Sequence, residues 1–102
     1  MESPLFAGID VGGTTTRIAL ADNSGRVLGR GRAPGAGFTE VPAEESSRRL
    51  ALAWRDACTE AGHDFSRPVT ALFAGFGSIA APRDAAIAQR CLRLAGIKAR
   101  HL

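Results

Sequence analysis

The sequence predicts an α/β domain in which a three-strand antiparallel meander leads into a helix, a buried strand parallel to the first, and a second helix. Three observations carry this reading. Residues 5–31 hold short apolar runs separated by tight-turn residues; residues 42–61 and 82–95 space their apolar positions by three and four; and residues 69–75 form an almost wholly apolar run between those helices.

Leu5-Phe6-Ala7-Gly8-Ile9-Asp10-Val11 and Thr15-Thr16-Arg17-Ile18-Ala19-Leu20 read as two strands joined by a turn at Gly12-Gly13-Thr14. Asp22-Asn23-Ser24-Gly25 is a second tight turn, and Arg26-Val27-Leu28-Gly29-Arg30-Gly31 a third strand. Arg32 to Thr39 is rich in Pro and Gly and crosses to the first helix as a loop. From about Pro42 the pattern becomes helical, with Leu50, Ala53, Trp54, Ala57, Cys58 and Ala61 on one stripe. Pro42 suits the opening of that helix and Gly62 its C-terminal cap. Asp64 to Pro68 is a connector to the strand Val69–Gly75, whose apolar character is that of a strand covered by helices. A strand, a helix and another apolar strand imply a right-handed crossover. Phe76 to Ala81 is a loop, Pro82 to Ala95 the second helix, and Gly96 its stop.

Length and composition narrow the classes. At 102 residues the chain forms one small domain, 45% hydrophobic and 23% charged, which is the balance of a globular protein with its own core. No apolar run reaches the length of a membrane span, and no basic-then-apolar leader precedes a cleavage site, so the expectation is a cytoplasmic protein without a membrane partner. Thirteen basic and ten acidic residues leave a net charge of +3, spread over helix faces and the stretch Lys98-Ala99-Arg100-His101. A nucleic-acid binder would concentrate that charge and interleave it with aromatics, so no nucleic-acid partner is expected. Cys58 and Cys91 each fall on an apolar helix side and read as buried reduced thiols; His63 and His101 offer no metal-ligand spacing.

The chemistry sits in the first turn. Glycines let a backbone present its N–H groups to an anion, threonine hydroxyls add donors, and a carboxylate at a strand end can hold Mg²⁺ through water. Gly12, Gly13, Thr14 and Thr15 would supply phosphate donors, and Asp10 would hold the metal. By strand alternation one of Thr16 and Arg17 points inward and the other outward, and Arg17 reads equally as a solvated strand residue. Taken alone, Asp-x-Gly-Gly-Thr also fits an ordinary hairpin whose glycines serve positive φ. Ala74-Gly75-Phe76-Gly77-Ser78 is a second candidate, because the carboxyl ends of parallel strands line the crevice of open α/β sheets. Its glycines fit a turn into the helix equally well.

The run Asp10-Val11-Gly12-Gly13-Thr14-Thr15-Thr16-Arg17, with the following turn and Val27-Leu28-Gly29-Arg30-Gly31, resembles the opening of the actin-like ATPase and sugar-kinase superfamily. Within it the chain is similar to the BadF/BadG/BcrA/BcrD ATPase family, which includes N-acetylglucosamine and glucosamine kinases. The resemblance implies a ribonuclease-H-like half-domain with strand order third-second-first-fourth and helices on the sheet faces. It implies ATP and Mg²⁺, with Gly12, Gly13, Thr14, Thr15 and Thr16 on the phosphates, Asp10 on the metal, and Gly75, Gly77 and Ser78 contacting a sugar substrate. In the family another strand follows the second helix and carries the acid that serves as general base; here Ile97 to Leu102 stands in that place, so the half-domain is expected to stop before a fifth strand and to lack the base. The Asn that family members carry after the third strand is missing from Pro34-Gly35-Ala36-Gly37-Phe38, which weakens the case for an amino sugar. Related activators of 2-hydroxyacyl-CoA dehydratases share the first loop but need a cluster cysteine, and neither Cys58 nor Cys91 stands in such a loop. A nucleotide-binding module without chemistry is a third reading. An open sheet edge and an uncovered face lead to the expectation of homo-oligomers.

Overall fold

A computed structural model of the chain describes residues 4–37, 41–77 and 82–101. Strand β1 (Phe6–Val11) pairs antiparallel with β2 (Thr15–Ala21), which pairs antiparallel with β3 (Val27–Pro34). Helix α1 (Ala43–Ala61) then crosses to β4 (Val69–Phe76), parallel to β1, and α2 (Pro82–Leu94) leads to β5 (Ala99–His101), parallel to β4. The sheet order is β3-β2-β1-β4-β5, and its first four strands stand in the expected order.

The fifth strand corrects the sequence reading, which ended the sheet at the fourth. Its own residues alternate charge and give no strand signal. Val69 N–H donates to the Lys98 carbonyl at 2.9 Å, Ala99 pairs with Val69, and Ile97 is buried beside them, so the strand is made by its neighbour. Strand β3 likewise runs on to Pro34, because Pro34 lies opposite Thr15 on an edge strand where a missing N–H costs little.

Both helices lie on one face. Helix α1 touches α2, β2 and β3, and its stripe Leu50, Ala53, Trp54, Ala57 and Cys58 meets Ile9, Val11, Ile18, Leu20, Val69 and Leu72 in one core that also takes in Ala88, Cys91 and Leu92. The approach of α1 to β3 is set by two glycines: a Cβ on Gly29 would stand 2.1 Å from the Ala57 carbonyl oxygen, and one on Gly31 1.7 Å from that of Ala53. Alanines spaced by four on the helix therefore seat directly on a side-chain-free track. Glu60 accepts the outward N–H of Arg30 at 3.1 Å, which satisfies part of the β3 edge. At the far end of α1, Gly62 is left-handed at φ 71° and caps the helix through its own N–H, as its position in the sequence suggests. The Trp54 indole N–H donates to the Phe65 carbonyl at 3.2 Å, and the Arg55 guanidinium lies 4.8 Å from the Phe65 ring centre; both contacts tie down the connector to β4.

The opposite face carries no helix among the described residues. Phe6, Gly8 and Asp10 of β1, Arg17 of β2, Arg30 and Arg32 of β3 and Phe73 of β4 are all exposed there. None of the described helices is long and apolar enough to cross a membrane.

Candidate functional site

Three loops meet at one end of the sheet because β1 and β4 run the same way. Val11 is level with Phe76, so the hairpin at Gly12–Thr15 and the segment after β4 leave the sheet side by side, and Gly77 N–H donates to the Val11 carbonyl at 3.1 Å. The loop after β3 arrives from the other side, since Pro34 is level with Thr15.

The hairpin is closed by one bond, from Gly12 N–H to the Thr15 carbonyl at 3.0 Å. Positive φ occurs only at Gly25, Gly62 and Gly96 among the described residues, so neither Gly12 nor Gly13 is there to supply a left-handed turn. At Gly12, and at Gly35 across from the hairpin, the demand for glycine is steric. A Cβ on Gly12 would press to 3.0 Å from the Thr15 carbonyl oxygen, and a Cβ on Gly35 would lie 2.1 Å from the carbonyl oxygen of Gly13. Gly13 and Thr14 are exposed at the tip, and their amide N–H groups make no hydrogen bond among the described residues. Exposed backbone N–H groups without an internal partner are donors that an anion can take.

The segment from Gly35 to Gly37 braces that tip, a feature the sequence reading passed over as plain loop. Gly35 N–H donates to the Thr14 carbonyl at 3.0 Å, and Ala36 N–H donates to Thr16 Oγ1 at 2.9 Å. From α1, Arg49 donates to the Gly35 carbonyl at 2.7 Å and to Glu45 at 3.2 Å, while the Ser46 hydroxyl donates to the Ala36 carbonyl. The signal for Ser46 was available: it stands four residues before Leu50, on the apolar stripe, and a buried hydroxyl needs a partner.

Thr16 is thereby removed from the phosphate-binding set expected of it. Its side chain is 0% exposed and faces the core, with its oxygen engaged by Ala36, so it shapes the hairpin from beneath. Arg17 points the other way, as alternation requires. Asp10 is exposed on the uncovered face, one residue from the strand end, directly across from Arg17 and level with Gly75 on β4. Gly75 and Gly77 stand at the same end as the hairpin; Ser78 lies outside the described residues. No cluster of three metal-ligating side chains exists among the described residues, so a cation near Asp10 would depend on water and phosphate oxygens for most of its shell, as suits Mg²⁺. Amides, hydroxyls and one carboxylate are the donor set that a magnesium-bound polyphosphate requires.

Residues 7–97 match the sequence model of the BadF/BadG/BcrA/BcrD ATPase family, a span that takes in the hairpin, the brace and β4. The chain belongs to that family. A solved structure from Chromobacterium violaceum, provisionally assigned as an N-acetylglucosamine kinase, superposes with a TM-score of 0.69 at 20% sequence identity, over 98% of this chain and 34% of that one. This chain thus spans about a third of the neighbour's length and shares its fold. No curated protein matches the sequence.

Proposed function

We propose that the chain forms the phosphate-holding part of an ATP-dependent sugar kinase. The hairpin carries this reading: a glycine-built tip with free amides, beside an exposed carboxylate, in a chain whose family is named for ATPases. Gly12, Gly13, Thr14 and Thr15 hold the ATP phosphates through backbone N–H groups and hydroxyls, and Asp10 holds Mg²⁺ through water. The bound nucleotide supplies the transferable phosphoryl group and the metal its charge neutralisation. Phosphoryl transfer is won mainly by positioning and electrostatics, so a rigid donor array is the contribution expected of such a loop. Gly75 and Gly77 meet the sugar at the end of β4, and Ser78, outside the described residues, is assigned to the same contact from the sequence alone. This reading gives the general base and the adenosine contacts to no residue named above and places the protein in the cytoplasm.

Isothermal calorimetry with Mg-ATP tests the proposal. The account expects weak binding by the chain, with Asp10→Asn lowering affinity about tenfold in the presence of Mg²⁺ and little in its absence. Gly13→Val should remove binding in both conditions by obstructing the backbone. Mg-ATP affinity unchanged in both variants would reduce the loop to a hairpin.

A further inference from the structure

Left to itself the Gly12–Thr15 hairpin is weakly determined. Adjacent glycines give up more backbone freedom on ordering than any other pair of residues. Against that stands one bond of the hairpin's own, from Gly12 N–H to the Thr15 carbonyl. The remaining order comes from outside, and it can be followed residue by residue into α1.

Gly35 N–H donates to the Thr14 carbonyl at 3.0 Å. That carbonyl belongs to the peptide unit that carries the Thr15 N–H, and in a trans peptide the two point in opposite directions. Gly35 therefore turns the Thr15 N–H away from the brace and sets its aim. The next peptide unit, Gly35–Ala36, is held at both ends: its N–H donates to Thr16 Oγ1 at 2.9 Å, and its carbonyl accepts from Arg49 Nη1 at 2.7 Å. Thr16 stands on the hairpin's own strand, whereas Arg49, with the Ser46 hydroxyl on the Ala36 carbonyl, ties the assembly to the helix.

The Arg49 side chain is itself fixed. Its Nε donates to Glu45 Oε1 at 3.2 Å, one helical turn earlier, and Glu45 Oε2 accepts from Arg48 at 2.9 Å. As partly exposed ion pairs these contribute little to stability. The geometric effect on Arg49 is larger, because a guanidinium is a planar fork and holding Nε fixes the direction in which Nη1 points. The Arg49 side chain is 28% exposed and that of Arg48 70%, and among the described residues Arg48 reaches no further than Glu45.

We propose that Arg49 is a positioning residue for the Gly12–Thr15 hairpin. Resting on the reading of that hairpin as a phosphate holder, Arg49 fixes the Gly35–Ala36 peptide, and through it the aim of the Thr15 N–H, without touching nucleotide itself. Glu45 holds the guanidinium at the angle this requires.

Amide NMR of the chain, read first without nucleotide and then titrated with Mg-ATP, tests the assignment on Arg49→Met, Arg49→Lys and Arg48→Met. Methionine keeps an apolar stem and removes the donors. Without nucleotide, Arg49→Met should shift the amides of Thr15, Gly35 and Ala36 and speed hydrogen exchange at Gly35 and Ala36 about tenfold. With Mg-ATP it should weaken binding at the hairpin about tenfold, the order of one hydrogen bond to a charged group. Lysine keeps the charge and a donor and should recover part of both effects. Arg48→Met removes the same charge one residue away and should match the wild type. Both arginines reach solvent, so circular dichroism should stay that of the wild type in all three variants. A lowered Tm in Arg49→Met with unmoved hairpin amides would make Glu45–Arg49 an ordinary helix pair and overturn the proposal, as would equal losses in Arg48→Met. Undiminished Mg-ATP affinity in Arg49→Met would overturn the positioning role and leave the phosphate reading standing. Failure of the wild-type chain to bind Mg-ATP at the hairpin would overturn both.

Discussion

Replacing Gly35 by alanine probes the link between the brace and the Gly12–Thr15 hairpin with a single methyl group. Its Cβ would stand 2.1 Å from the Gly13 carbonyl oxygen, 2.3 Å from the Gly13 carbonyl carbon and 2.7 Å from the Gly12 carbonyl oxygen. Relief of the closest contact needs a shift of about an ångström, and all the obstructing atoms are backbone. The segment cannot simply withdraw, because its own N–H is bonded to Thr14 and its carbonyl to Arg49, with Ala36 bonded to Thr16 next door. Either those bonds break or the hairpin tip moves. Overpacking of this kind costs about 1–3 kcal/mol. In a domain of this size that lowers Tm by roughly 5–20 °C. Thermal unfolding by circular dichroism gives the cost, and amide NMR shifts at Gly12 to Thr15 report the displacement. Gly8→Ala is the control: its Cβ meets nothing within 4 Å, and a strand alanine should be neutral or stabilising by up to about 1 kcal/mol. A Gly35→Ala protein with the wild-type Tm and unmoved hairpin amides would refute the brace.

Gly31→Ala should be more damaging than Gly35→Ala, because its Cβ would enter the Ala53 carbonyl at 1.7 Å and only displacement of α1 relieves it; a loss of about 3 kcal/mol or failure to fold is expected in urea unfolding. Thr16→Val keeps the shape but strands the buried Ala36 N–H, at a cost of about 1–3 kcal/mol, and should loosen the tip without contacting any ligand; an unchanged urea midpoint would contradict the burial described. Burial, and then the negative charge of Asp64, push the Cys58 thiol up to about 11. The unfolded thiol ionises near 8.5, so this contribution to stability is whole below that pH and is lost as pH rises to 11. Tm should fall across that window, and a disulfide reagent at pH 8 should label the folded chain only as fast as it unfolds; immediate labelling of both buried cysteines would contradict it.

Much of this architecture could be read from local pattern. Alternation in Phe6–Val11 and Thr15–Ala21, the three-and-four spacing from Leu50 to Ala61 and the cap at Gly62 are decided by residues within a few positions of each other, and so were the first four strands and both helices. The hairpin was found for the same reason. What escaped depends on contacts between distant segments. β5 is held by β4 and by burial of Ile97, not by its own alternating charges. Gly29 and Gly31 look like weak strand residues until α1 lies on them, and Gly35 looks like loop composition until the carbonyl of Gly13 lies against it. Thr16 matched a phosphate-binding threonine by motif, yet strand alternation sends it into the core, and only the structure supplies its partner at Ala36. Motif spacing told which backbone could hold an anion; the fold told which neighbours hold that backbone in place.

Residue-resolved NMR of the labelled chain titrated with Mg-ATP tests the central claim most directly, because it reports weak binding and its place together. The account expects amide shifts confined to Gly12, Gly13, Thr14, Thr15, Gly35 and Gly77, greatly reduced by Asp10→Asn. Shifts gathered instead on Arg17, Arg30 and Arg32, or none at the hairpin at millimolar nucleotide, would contradict it.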